Sequence, residues 1–191
     1  MLSTAGEFGA VVDLLSMLVL DTRTGVLIAA LLTAAWCDAR FGRIPNELVF
    51  AGVAIALVQN AVAPLHGGGF LWSLAGLGTG FALLLPFYLL RAMGAGDVKL
   101  MAMAGAFLGF PDALYAGLAS FLAGGALSVF FMLKGGSLRT SLTNVLALLR
   151  GRLDGLRLGA GAASAGTLPY GVAIAAGTIG YLVLRQLGFI D

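Results

Sequence analysis

With 191 residues, 60% of them hydrophobic and only 10% charged, the chain is too apolar to leave its surface in water, since soluble domains carry about 25% charged residues. An integral membrane protein is implied. The small net charge of +2, spread along the chain, excludes a nucleic-acid surface, and a single cysteine, Cys37, excludes an internal disulfide or a Cys-x-x-Cys metal site.

From the N-terminus, Leu14 to Leu20 is apolar apart from Ser16, but Glu7 and Asp13 stand where a signal peptide carries positive charge. No cleaved secretion signal is expected, and residues 1–20 are read as an N-terminal segment, either an interfacial helix or an extension of the first span. A bilayer core needs about 20 apolar residues per helix, which predicts six spans near residues 20–41, 47–64, 69–90, 94–110, 113–133 and 168–187. His66 falls in the turn between the second and third and is read as a solvated loop residue.

The connection at 134–167 repeats Leu138, Leu142, Val145, Leu146, Leu149 and Leu153 at helical spacing, with Arg139, Arg150 and Arg152 largely off that stripe. This predicts an amphipathic helix lying along the membrane surface, followed by the linker "GAGAASAGT". The expected fold is therefore an all-α integral membrane protein, a single domain over 1–191 built as a bundle of six transmembrane helices plus one interfacial helix. Gly76/Gly80 and Gly105/Gly109 have the small-xxx-small spacing of closely packed membrane helices.

Lys and Arg favour cytoplasmic loops. Arg40, Arg43, Arg91, Lys99, Lys134, Arg139, Arg150, Arg152 and Arg157 gather at the 1/2, 3/4 and 5/6 connections, whereas Arg23 and Arg185 lie opposite. Both termini are expected outside.

Two spans are short. Between Arg23 and Asp38 there are 14 uncharged residues, and between Lys99 and Asp112 only 12, so each helix is expected to borrow length beyond a charge. That would draw Asp38 and Asp97 about one turn inside the cytoplasmic boundary, where a carboxylate costs free energy, about 2.5 to 3.5 kcal/mol at mid-membrane and less near the edge, and usually faces the protein interior. Pro45 after "ARFGRI" turns the chain sharply beneath Asp38, and Gly94 and Gly96 before Asp97 favour unusual backbone geometry and room for another chain. Spacing leaves two readings open. The acids are structural or ion-pathway carboxylates, with Asp97 paired to Lys99 or Asp38 to Arg40, or they meet and share a proton as general acid and general base.

Asp38 followed by Ile44-Pro45-Asn46, and Gly94-x-Gly96-Asp97-x-Lys99-Leu100, together resemble the two motifs of the type IV prepilin peptidase family, with "LPYG" at Leu168 to Gly171 a third similarity. The resemblance covers about residues 24–185. It implies a membrane aspartic endopeptidase with Asp38 and Asp97 as catalytic dyad, cleaving the basic leader of prepilin or pseudopilin precursors at the cytoplasmic face of the inner membrane, for type IV pilus biogenesis and secretion. It leaves Ile44, Pro45, Asn46, Gly94, Gly96 and Lys99 as residues that bind substrate or shape the site. The cysteine-bearing insert of bifunctional members is missing, so the chain resembles the short form of tight-adherence (Flp) pilus systems or the preflagellin peptidases. No methyltransferase activity, metal or other cofactor is expected. The other readings are a proton-coupled transporter and a noncatalytic assembly scaffold.

Overall fold

The computed structural model describes residues 22–62, 69–90, 93–134 and 170–189. The N-terminal segment, the His66 turn, Arg91, the amphipathic stretch with its linker, and Leu168 and Pro169 lie outside the described residues. Six helices occupy the described chain, α1 (Thr22–Phe41), α2 (Asn46–Val62), α3 (Gly69–Leu89), α4 (Ala95–Leu108), α5 (Asp112–Lys134) and α6 (Tyr170–Gln186). Each falls on one of the apolar runs that hydropathy marks out.

The helices alternate in direction, which the cross-links between their ends establish. At one end Arg23 of α1 donates to Asn60 Oδ1 (2.9 Å) and to the Gln59 carbonyl (3.0 Å) at the end of α2. Also at that end, Asp112 at the start of α5 accepts from Tyr181 (2.8 Å) and pairs with Arg185 near the end of α6. The acids Asp38 and Asp97 sit at the opposite end.

α4 is the hub, packed on by all five other helices. Every residue from Val98 to Leu108 except Lys99 is buried. Its sequence explains this: alanine, glycine and flexible methionine cover every face, so the helix presents no polar side and neighbours approach all round. The small-residue spacing does what it predicts. The backbone of Gly76 on α3 lies against Gly105 and Gly109, and Gly80 lies against Met101 and Ala102, leaving no room for a Cβ. The last four carbonyls of any helix lack intrahelical partners. That of Ala106 takes the buried Ser73 hydroxyl of α3 (2.6 Å) and the Asn60 amide of α2 (3.3 Å), so two of the rare polar residues of the apolar spans serve the end of the hub.

The six-span expectation meets the structure in part. α1, α3 and residues Asp112–Phe130 of α5 are long and apolar enough to cross a bilayer. α2 and α6 have 17 residues each, and α4 has 14, a length of about 21 Å against a hydrocarbon core of about 30 Å. As expected, α4 borrows length beyond a charge, starting at Ala95 ahead of both Asp97 and Lys99, but at its other end it stops at Leu108, short of Asp112, because Gly109 adopts a positive φ of 71° and ends it. Sheathed by protein on all sides, α4 has no lipid to match.

Candidate functional site

α1 ends one turn after Asp38. Gly42, at φ 61°, donates to the Asp38 carbonyl (2.8 Å) and closes the helix with the left-handed cap that glycine adopts without strain. Pro45 then opens α2, its carbonyl accepting from Val49. The turn expected beneath Asp38 is present. The half-buried Asp38 carboxylate reaches α6, where it accepts the backbone N–H of Gly171 at 2.7 Å.

Asp97 is the third residue of α4 and is buried. Its carboxylate folds back to accept the N–H of Gly94 (3.1 Å), supplying one of the partners that the first turn of a helix lacks. Both acids are thus held by a backbone donor at the N-terminal turn of a helix, where the helix dipole favours negative charge. They lie near enough for their charges to act on each other, and Tyr170, the first residue of α6, lies within the same range of Asp97. One oxygen of each carboxylate is held by backbone. The other has no hydrogen-bond partner among the described residues, as sharing a proton or holding a water requires.

A model of the type IV leader peptidase family matches residues 25–129, more than half of the 191-residue chain. The chain belongs to the type IV leader peptidase family. No curated protein and no solved structure matches it. The matched span contains most of α1, all of α2 to α4, both aspartates and much of α5; α6, which anchors Asp38, lies beyond it.

Membership of this peptidase family gives the remaining motif residues a context. Lys99 does not pair with Asp97; its ammonium donates to Asn46 Oδ1 (3.0 Å) and stands 5.9 Å from the Phe50 ring centroid. Lys99 and Asn46 together therefore tie the start of α2 to α4 beside the acids. Ile44 packs against Gly96. Glu47 is exposed in the first turn of α2. The reading of Gly94 and Gly96 needs correcting for this conformation. Gly94 has φ −77° and ψ 153°, open to any residue, and a Cβ at either glycine would make ordinary contacts, 3.4 Å from Asp97 Oδ2 or 3.5 Å from Ile44. Residues 93 and 94 are non-helical and α4 starts at Ala95.

Most of the polar side chains that a transmembrane relay would need are otherwise engaged, although Gln59 Oε1 and Thr178 Oγ1 are buried without a partner among the described residues. Thr79, Ser120 and Ser128 each donate to a carbonyl one turn back in their own helix, at 2.8 Å. Ser73 and Asn60 serve Ala106. Among the described residues, no three His, Cys, Asp or Glu side chains gather as a metal-holding group.

Gly171 is the site residue that motif reading undervalued. "LPYG" carried the signal, but a backbone N–H leaves no side-chain signature to mark it as a partner of Asp38.

Proposed function

We propose that the chain is an intramembrane aspartic endopeptidase that removes the basic leader from prepilin or pseudopilin precursors, with Asp38 and Asp97 as its dyad. What carries this reading is the approach of two acids from distant points in the chain, each held by a helix N-terminal N–H, in a protein of the type IV leader peptidase family. In this reading all six helices cross the inner membrane, the acid end faces the cytoplasm and both termini lie outside.

The precursor's apolar helix packs laterally against the bundle, and its extended leader junction enters over the irregular backbone at 93–94. Gly94, which the free backbone does not demand, keeps that approach clear for the peptide, while Gly96 seats Ile44 beside the acids. One carboxylate takes a proton from water as its oxygen attacks the scissile carbonyl, and the other, protonated, donates to the carbonyl oxygen or the departing amine; the pair then regains its shared proton. The mature product keeps an unmodified N-terminus.

The test incubates purified enzyme with candidate precursors and locates the cut by mass spectrometry, alongside Asp38→Asn and Asp97→Asn. Each variant should lose cleavage while remaining folded. Cleavage at the wild-type rate by either one would overturn the dyad. A carrier would instead lose flux in these variants, and a scaffold would lose neither.

A further inference from the structure

We propose that the Gly171 amide is a positioning group for Asp38, orienting its carboxylate for the reaction rather than merely being capped by it. This rests on reading Asp38 as half of the dyad. The N–H···O distance of 2.7 Å is at the short end for an amide donor, as bonds to a carboxylate are. The two partners are 133 residues apart, brought together by the packing of α1 on α6. The glycine itself is needed for space: a Cβ at residue 171 would stand 2.8 Å from Asp38 Oδ2 and 3.1 Å from its Cβ and Cγ. Any side chain at 171 therefore pushes the carboxylate aside.

Asp97 is oriented within its own helix by Gly94. Asp38, in the last turn of α1, receives no such local support and takes it from α6. With one oxygen fixed, the other is left for water or for Asp97. Gly171 thereby brings the start of α6 into the machinery.

Two measurements test this. In Gly171→Ala, the rate of precursor cleavage should separate from its binding: kcat falls about 10-fold or more, since a misplacement near 1 Å can cost about 100-fold, while KM stays within about 2-fold. In ¹⁵N-glycine-labelled protein in detergent micelles, the Gly171 amide proton should resonate downfield and move upfield in Asp38→Asn, but not in Asp112→Asn at the far end of the bundle. A wild-type kcat in a folded Gly171→Ala, or a Gly171 resonance indifferent to Asp38→Asn, overturns the proposal. If Gly171→Ala does not fold, a Gly171 resonance indifferent to Asp38→Asn still overturns the proposal. Loss of activity in Asp38→Asn with full activity in Gly171→Ala would refute only the positioning role, whereas full activity in Asp38→Asn would refute the dyad.

Discussion

Replacing Gly76 with alanine should pry α4 away from α3. A Cβ at Gly76 would stand 2.5 Å from the Gly109 Cα and 2.8 Å from its carbonyl carbon, and closer still to the Gly105 carbonyl oxygen. Carbon contacts settle near 3.5 Å, so the helices must part by about 1 Å. A gap of that size forfeits roughly a third of the dispersion well for each facing pair. At about 0.15 kcal/mol per pair and roughly 30 pairs along the interface, the loss is about 1.5 kcal/mol. Ser73 lies one turn earlier on the same buried face of α3, and its 2.6 Å bond to the Ala106 carbonyl would stretch past hydrogen-bonding range, adding about 1 kcal/mol. A destabilisation of about 2 to 4 kcal/mol is expected, read from reversible unfolding in mixed micelles of rising dodecyl sulfate content, followed by circular dichroism. Gly78 is the control. It is on the same helix, and a Cβ there would meet nothing within 4 Å, so Gly78→Ala should be neutral or up to about 1 kcal/mol stabilising through helix propensity. Equal stabilities for the two variants would refute the close-packing account of the hub. Because α4 carries Asp97, Gly76→Ala should also slow cleavage more than Gly78→Ala.

Asn60→Leu removes an acceptor from Arg23 and a donor from the Ala106 carbonyl and should cost about 1 to 3 kcal/mol in the same titration. Arg185→Met leaves the buried Asp112 carboxylate with Tyr181 alone and should cost about 1 to 3 kcal/mol, below the range for fully buried pairs because Arg185 is partly exposed. Adding Asp112→Asn should recover part of that loss, and strictly additive effects would show that the pair is not coupled. Asp38→Ala empties the acceptor that Gly171 needs and should lower stability by about 0.5 to 2 kcal/mol, as loss of a helix cap does. Asp38→Asn keeps an accepting oxygen and should unfold close to wild type, and a larger loss in the asparagine variant would contradict the hydrogen-bonding role.

Helix positions were legible because runs of apolar residues between charges leave little choice. The third span, expected at 69–90, is Gly69–Leu89. Hydropathy does not tell lipid from protein, and this is why a full crossing is expected at 94–110 where α4 spans only Ala95–Leu108. Its small side chains, covering every face, were the better guide, since they mark a helix surrounded by neighbours. The interhelical glycines were legible for the same reason, as small residues at fixed spacing have few other uses. At the candidate site, the motifs mark both acids, which the structure places at the same end of the bundle, but the groups that support them leave no such mark. Lys99 was weighed as a partner for Asp97 and is bound to Asn46, across a distance in sequence that no local spacing reveals. Gly171 is further still from its partner.

The two ends of the bundle are built on different logic. At the far end, Arg23, Asn60, Ser73, Asp112, Tyr181 and Arg185 bind one another or free carbonyls. At the acid end, the cross-link from α1 to α6 runs through the Asp38 carboxylate itself, and Asp97 closes the first turn of α4. In the proposed dyad, a group that both braces the fold and reacts is held in place at no further structural cost, but its brace would be disturbed whenever it changed protonation or met a substrate amide. Local opening should therefore concentrate at the starts of α4 and α6, with the far end holding the helices together while the acid end admits an extended peptide.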